Sequence, residues 1–149
     1  MKKIIFLCFI AIIASTGIFA MPGPGAPEMI KEIFYHQFPQ IKNPVFFDSG
    51  DSYEAYFKND NDVSGRVCFK LDGKIIKTIK YYKENGLDPF IREKINKKYK
   101  GKTIFGISEI QSSTEHFYSI VLQDNKNWFI VKFNAISSAV FEKKLCKND

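Results

Sequence analysis

The chain has 149 residues, of which 45% are hydrophobic and 15% aromatic, and its formal net charge is +6 at pH 7. Loss of Lys2 and Lys3 with a cleaved signal lowers that charge from +6 to +4, a modest excess that argues against nucleic acid as a partner. No second long hydrophobic run follows the N-terminal one, so we expect no transmembrane segment in the mature chain.

The N-terminus has the pattern of a secretory signal peptide. Lys2 and Lys3 precede an apolar run from Ile4 to Ala14, and a stretch of smaller residues ends at Ala20. A retained membrane anchor is the alternative, but this run is shorter than the ~20 apolar residues that a spanning helix needs. We therefore predict cleavage of residues 1–20 and export of the remainder.

The mature chain begins with a segment rich in Pro and Gly, followed by a helix. Residues 21–26 alternate Pro and Gly, which predicts a flexible leader in front of one domain at 27–149. Ile30, Phe34 and Phe38 recur every four residues, which is the spacing of an apolar stripe along a helix.

Four short strands are predicted after this helix. In the second of them Tyr53, Ala55 and Phe57 alternate with other residues, the period of a strand with one buried face. Asp72-Gly73 is a typical hairpin turn. The strands are placed around residues 45–47, 53–58, 67–71 and 75–81, so the first unit spans 27–83.

The same pattern recurs in a second unit at 87–146. Asp88-Pro89 is a strong helix start, because Asp can accept hydrogen bonds from free backbone amides and Pro is tolerated at the first helical position. The apolar stripe of Ile91, Ile95 and Tyr99 follows the first stripe at a constant offset of 61 residues. Strands are placed around residues 103–110, 117–122, 128–133 and 140–145.

Together the two units predict an α+β fold. It is a tandem α-β4 repeat, with two helices packed on one face of a mostly antiparallel sheet of about eight strands. The alternative is that the two units are alike by chance, because apolar alternation recurs in any sheet protein.

Several structural motifs of the chain match a known family. They are Phe38-Pro39, Val45-x-Phe47, Tyr53-x-Ala55-x-Phe57, Phe69-x-Leu71-Asp72-Gly73-Lys74, and Leu87-x-Pro89 leading through Ile91 and Ile95 to Tyr99-x-Gly101. On these motifs the mature chain resembles the PepSY-like proteins, which share the fold of the beta-lactamase inhibitor protein (BLIP). Members commonly have Trp in place of Phe47 and Gly in place of Ala135. The resemblance implies a periplasmic or secreted protein of Gram-negative bacteria.

The phase of the strands divides their side chains between two faces. Residues predicted to face the helices are Tyr53, Ala55, Phe57, Phe69, Leu71, Phe129, Val131 and Phe133. The other face combines aromatic and cationic groups, as a recognition surface does, and also carries Cys68. The candidate binding residues on it are Tyr56, Lys70, Trp128, Ile130 and Lys132. The alternative is that these are ordinary cross-strand pairs, each worth ~0.2–1 kcal/mol.

No catalytic constellation is found in the sequence. His36 and His116 are the two histidines, and no paired His motif, Cys-x-x-Cys or EF-hand loop occurs, so we expect no metal and no cofactor. A Cys68 nucleophile with His116 as base is conceivable, but nothing near Cys68 in sequence would lower its pKa. Cys68 and Cys146 could form a disulfide in an exported protein, or remain free.

Lysines are concentrated in two segments. One is the region of the second helix, residues 94–102, and the other contains Lys74, Lys77, Lys80 and Lys83. Lys near a helix end complements the helix dipole, and exposed Lys keeps a surface soluble. We interpret both segments as solvated surface rather than as a site for anionic lipid or polysaccharide.

These observations predict an exported binding module without enzymatic activity. We expect a monomer that inhibits or recognises another envelope or extracellular protein through the second face. The alternative is a carrier that holds a small apolar or glycan ligand between the sheet and its loops. An enclosed apolar pocket would favour the carrier, whereas an open aromatic sheet would favour a protein partner.

Overall fold

The computed structural model describes residues 25–59, 63–134 and 139–147. The predicted signal peptide and residues 21–24 of the predicted leader lie outside this part of the chain. The elements are α1 Glu28–Gln37, β1 Val45–Asp48, β2 Ser52–Lys58, β3 Ser64–Lys70, β4 Ile75–Tyr82, a short 3₁₀ helix Glu84–Gly86, α2 Pro89–Lys98, β5 Thr103–Ser112, β6 His116–Gln123, β7 Asn127–Phe133 and β8 Val140–Cys146.

The strands form one sheet in the order β1 to β8, and each strand is antiparallel to its neighbours. Both helices pack on the same side of it. Thr78 is paired with Val67, which belongs to the core under α1, while Tyr82 packs against the core under α2. Since Thr78 and Tyr82 are four residues apart on β4, their side chains share a face. The predicted α+β fold is therefore confirmed in its sheet and its two helices.

The start of α2 shows why the sequence forms a helix there. Oδ1 of Asp88 accepts hydrogen bonds from the backbone amides of Phe90 at 2.9 Å and Ile91 at 3.3 Å, and Pro89 takes the first helical position. Those amides would otherwise have no partner in the first turn. The α1 helix begins after Pro27 without a side-chain cap. In the described part of the chain, no helix is long and apolar enough to cross a membrane.

The first core lies between α1 and the first half of the sheet. Ile30 and Phe34 are fully buried against a group of strand residues: Ala55, Phe57, Val67 and Phe69. Burial of each large side chain contributes about 1.5–3 kcal/mol. Ala26, the last residue of the predicted flexible leader, is only 2% exposed and belongs to this core. The ordered domain therefore begins before Pro27.

The second core lies under α2 and is a separate cluster. Ile91 and Ile95 are buried against residues of β5, β6 and β7: Ile104, Ile107, Ile120, Leu122, Val131 and Phe133. The two cores meet at the central strands β4 and β5, where the side chains directed towards the helices include the polar Lys80 and Glu109. Apolar packing is therefore concentrated in the two halves of the molecule.

One predicted core residue is wrong. Leu71 was expected to face the helices, but it is 53% exposed. The strand ends at Lys70, because the amide of Gly73 donates to the carbonyl of Lys70 at 3.0 Å and closes a turn that contains Leu71. Gly73 has φ +86°, a left-handed conformation that glycine adopts without strain.

Candidate functional site

The candidate site is the face of the sheet opposite the helices, which we call the open face. No described helix lies on it, and side chains on adjacent strands line up in rows across it. One row follows the pairing register from β1 to β6 and consists of Val45, Tyr56, Arg66, Ile79, Ile110 and Phe117. A second row, which we call the serine row, consists of Ser64, Tyr81, Ser108, Ser119 and Lys132.

A polar network organises the first aromatic group of the open face. The hydroxyl of Tyr56 donates to Oε2 of Glu54 at 2.5 Å, and Nη1 of Arg66 lies 3.4 Å from the same carboxylate oxygen. Arg66 also donates to the Tyr56 hydroxyl at 3.2 Å. The Tyr56 hydrogen bond is the largest of the effects that lower the pKa of Glu54, and that bond also raises the pKa of Tyr56. The ring of Tyr56 is thereby held in place at the surface.

An apolar cleft lies beside this network. The rings of Phe47 and Tyr56 meet edge to face, with 5.3 Å between their centroids. The cleft has a volume of about 510 Å³ and is lined by Val45, Phe47, Asp48, Ser49, Glu54 and Tyr56. Phe47 and Tyr56 are each 38% exposed, a large fraction for aromatic side chains. This corner of the open face can therefore accept an apolar group from a partner.

The second aromatic group lies around Trp128. The rings of Phe105 and Trp128 are 4.5 Å apart between centroids and meet edge to face. Nζ of Lys147 lies 4.4 Å from the centre of the Trp128 ring, and Nζ of Lys83 lies 5.0 Å from that of Phe105. Cation–π contacts of this kind hold lysine side chains over aromatic rings. The result is an apolar surface with positive charges held directly upon it.

The serine row forms a shallow cleft between the two aromatic groups. Small side chains flank Tyr81, since Ser64 pairs with it from β3 and Ser108 from β5. The cleft here has a volume of about 290 Å³ and also contacts Phe105 and Val121. At the far end of the row, Nζ of Lys132 lies 3.8 Å from the centre of the Phe117 ring. The open face is therefore continuous from Tyr56 to Lys132.

The charge of the open face is predominantly positive. Among the described strand residues whose register places them there, Glu54 is the carboxylate, and it is paired with Arg66. The cations on the same face are Lys58, Arg66, Lys70, Lys77, Lys132 and Lys143. A surface with this imbalance attracts an acidic partner and repels a basic one.

All five predicted site residues lie on the open face, but they do not form one cluster. Tyr56 is on β2 and Trp128 on β7, five strand spacings apart, or about 24 Å at the usual spacing. Ile130 and Lys132 accompany Trp128 on β7. Lys70 is exposed at the end of β3, where it pairs with Ser52. The site is therefore an extended surface rather than a pocket.

Sequence reasoning missed three residues that contribute to this surface. Arg66 precedes the buried Val67 on β3, so the alternation of that strand already places Arg66 on the open face. Phe47 is exposed while Phe46 packs on the first core. The strand β1 has only four residues, too few for alternation to show which of the two aromatic residues is buried. Phe105 sits where the pairing of β5 with β6 shifts between Ile104 and Gly106. Such a bulge changes the phase of a strand, so alternation alone does not predict the face of Phe105.

Among the described residues, Cys68 and Cys146 do not form a disulfide with each other, and Cys68 does not contact a histidine. Cys68 and Cys146 are both free, and they lie on β3 and β8, about 24 Å apart at the usual strand spacing, whereas a disulfide needs Cα atoms within about 7 Å. Cys68 is 4% exposed on the open-face side, and its Sγ lies 3.6 Å from Oε1 of Glu54. Burial raises the pKa of its thiol. His116 lies three strands away and contacts Glu109 on the helix side.

No protein-family model and no curated protein matches the sequence of the chain. Solved structures do resemble it. A BLIP-like protein from Bacteroides fragilis is 14% identical with a TM-score of 0.67, and the match covers 85% of this chain and 90% of that one. A DUF2874 family protein from Bacteroides ovatus is 15% identical with a TM-score of 0.64, and the match covers 83% and 89% of the two chains.

A third structure is a candidate periplasmic protein from Bacteroides eggerthii, which is 10% identical with a TM-score of 0.63 over 81% of this chain and 88% of that one. Identities this low show a common fold and no more. The PepSY-like part of the predicted resemblance stays a prediction. What the likeness shows is that this chain has the fold of the BLIP-like proteins.

Proposed function

We propose that the chain is an exported, non-enzymatic binding module that recognises another envelope or extracellular protein through the open face. The observation that carries this proposal is the character of that face. Two exposed aromatic groups flank a serine-lined cleft, and the strand residues whose register places them on this face carry several cations and one carboxylate, Glu54, which is paired with Arg66. Tyr, Trp and Arg are the residues that most often dominate the energy of a protein interface.

The charge of the open face supports a particular kind of partner. Arg66, Lys132 and Lys143 are separated by aromatic and aliphatic side chains rather than by acids. A complementary surface would present carboxylates around an apolar centre. Such a pairing would increase the association rate more than the final affinity, and it would weaken as salt is added.

Inhibition of the partner is one form that this recognition could take. The support for inhibition is the likeness in fold to a BLIP-like protein. The Bacteroides fragilis protein is called BLIP-like, and proteins with one fold can serve unrelated functions. We therefore propose which surface binds and that the partner is acidic, and the partner could be an enzyme that this binding inhibits.

Export and duplication complete the proposal. The N-terminal pattern of residues 1–20 supports a periplasmic or secreted location, as does the candidate periplasmic neighbour.

The bounds of α1 and α2, Glu28–Gln37 and Pro89–Lys98, are separated by the same 61 residues as their apolar stripes. This supports an origin of the domain from two copies of one helix-plus-four-strand unit.

The proposal is tested by comparing two double variants of the mature chain. Tyr56→Ala/Trp128→Ala removes one ring from each aromatic group of the open face. Tyr35→Ala/Phe90→Ala removes two rings that are 47% and 62% exposed on the helices. The helix rings are more exposed than Tyr56, at 38%, and than the half-buried Trp128, so the second variant controls for nonspecific binding through exposed aromatic rings. Each variant is first shown to keep the circular dichroism and melting curve of a folded protein.

The measurement is affinity capture from an envelope extract, followed by titration of the captured protein. We expect the wild type and the helix variant to retain one acidic protein, and the open-face variant to bind it at least tenfold more weakly, since single interface hot spots contribute about 2 kcal/mol or more. Raising the salt concentration should slow association. Equal binding by all three proteins would reject the open face as the site.

A further inference from the structure

The helix side of the sheet carries a separate candidate site, which does not depend on the proposed function of the open face. The two helices leave a valley between them above β4 and β5. In a two-layer fold the side chains under the helices are normally apolar. In the valley they are polar instead: the register places Thr78, Lys80, Glu109 and Gln111 on this side. A space lined in this way is suited to a polar ligand or to solvent.

The valley contains a defined cavity. Its volume is about 430 Å³, within the range of small-molecule sites. The end of α1 and the turn after it, Asn59 and Val63 beside β2 and β3, the 3₁₀ helix and the three strands β2, β4 and β5 contribute to its walls. The lining residues include Gln37, Phe38, Phe57, Lys80, Tyr82 and Glu109. The cavity therefore lies between the two cores and is bounded by elements of both halves.

Lys80 and Glu109 are paired across β4 and β5 and both line this cavity, but the carboxylate is bonded to other groups. Oε2 of Glu109 accepts a hydrogen bond from the Tyr82 hydroxyl at 3.2 Å, and Oε1 lies 2.9 Å from Nε2 of His116. Both oxygens of that carboxylate are thus engaged. Lys80 is partly buried and lines the same cavity, yet its ammonium has no hydrogen bond or ion pair with any described residue. Because both oxygens of Glu109 are engaged elsewhere, the Lys80 ammonium is available to pair with an anionic group of a ligand.

The remaining walls are apolar or carry amides. Phe38 and Phe57 provide aromatic surface, Ile41 and Val63 provide aliphatic surface, and Gln37 provides a side-chain amide. An inorganic anion would contact Lys80 and leave these apolar walls in water. A carboxylate attached to a compact apolar body would satisfy both parts of the cavity.

From this arrangement we propose that the valley binds a small organic carboxylate. Its charged group pairs with the Lys80 ammonium, and its alkyl or aromatic body packs against Phe38 and Phe57. The site is separate from the open face, because Lys80 and the open-face residue Lys77 are three positions apart on one strand and so point to opposite sides of the sheet. A ligand here would add a small-molecule function to a protein-binding module.

Titration followed by nuclear magnetic resonance tests this site directly. The probes are hexanoate, octanoate and phenylacetate, with hexanol as a neutral analogue and inorganic phosphate as an anion without an apolar body. We expect at least one carboxylate to bind with a Kd of about 1 mM or lower, as a small ligand in a partly polar site does. The backbone amide of Gly86 should shift, while the indole N–H of Trp128 on the open face should not.

Two variants decide whether Lys80 is responsible. Lys80→Met keeps the length of the side chain and removes its charge, and we expect it to weaken carboxylate binding about tenfold or more, the usual effect of losing a charged hydrogen bond. Lys77→Met is the matched control on the same strand and should bind as the wild type does. The proposal is overturned if no carboxylate shifts the valley amides, if hexanol binds as well as hexanoate, if phosphate alone binds, or if the two variants behave alike.

Discussion

Tyr56 and Glu54, two residues apart on β2, are joined on the open face by a hydrogen bond of 2.5 Å from the phenol to the carboxylate. This bond is the largest of the effects that lower the pKa of Glu54 below its ordinary value of 4.5, and the charge of Arg66 adds to it while burial opposes it. The Glu54 side chain is 19% exposed, so solvent screens these effects only in part.

The first prediction concerns the pH dependence of stability. Because the pKa of Glu54 is lowered in the folded chain, its contribution is complete above about pH 4.5 and is lost as the pH falls through the folded pKa. Glu54→Gln should therefore destabilise the protein at neutral pH, by on the order of 1 kcal/mol. The difference from the wild type should shrink as the pH is lowered below 4.5.

Urea unfolding at a series of pH values measures this difference. Subtraction of the two curves removes the contribution of the other carboxylates, provided that these are unchanged by the substitution. A difference that is independent of pH would show that Glu54 contributes packing and not charge.

The second prediction compares two glycines in strands. A Cβ at Gly65 would lie 2.5 Å from the carbonyl oxygen of Ile79 and 2.6 Å from Cζ of Phe57, whereas a Cβ at Gly106 would have nothing within 4 Å. Gly65→Ala should therefore cost about 1–3 kcal/mol, the usual effect of overpacking. Gly106→Ala should be neutral or stabilise by up to about 1 kcal/mol, because it reduces the freedom of the unfolded chain. Melting temperatures that ranked the two in the opposite order would contradict the packing of Phe57 over Gly65.

The third prediction concerns the cap of α2. Asp88→Ala removes the acceptor for two backbone amides and should destabilise the protein by about 0.5–2 kcal/mol, while Asp88→Ser keeps an acceptor and should cost much less. Chemical unfolding of both variants checks this. Equal losses for Ala and Ser would mean that the charge near the helix end, rather than the hydrogen bonds, is responsible.

The fourth prediction concerns the thiols of the mature chain. Cys146 is exposed and should react with a thiol reagent at once, whereas Cys68 is buried, has a raised pKa and should react only as the protein unfolds. One thiol should therefore be counted quickly in the native protein, and two in denaturant. Fewer than two under denaturing, non-reducing conditions would reveal a disulfide and contradict the separation of β3 from β8.

Regular periodicity is what made most of this fold predictable from sequence. The stripe of Ile30 and Phe34 and its counterpart 61 residues later locate both helices, and alternation along β2 and β7 places Tyr56 and Trp128 on the open face. Each of these patterns lies within one helix or strand, so it can be recognised without knowing which elements pack beside it. The cap at Asp88 is equally local.

The errors arose where the structure depends on several strands at once. The exposure of Leu71 follows from a turn, and the position of Phe105 follows from a bulge relative to β6. Lys80 was interpreted as one of several solvated lysines, and strand alternation alone did not show that it lines a cavity on the helix side of the sheet. Whether a polar side chain under the helices reaches solvent depends on the distance between α1 and α2, which neither helix encodes by itself.

The separation of the two cores has a mechanical consequence. Each half of the sheet is stiffened by its own helix, while β4 and β5 are joined to each other by backbone hydrogen bonds with polar side chains above them. We therefore expect the sheet to bend more easily between β4 and β5 than within either half. Bending there would change the curvature of the open face and the width of the valley together.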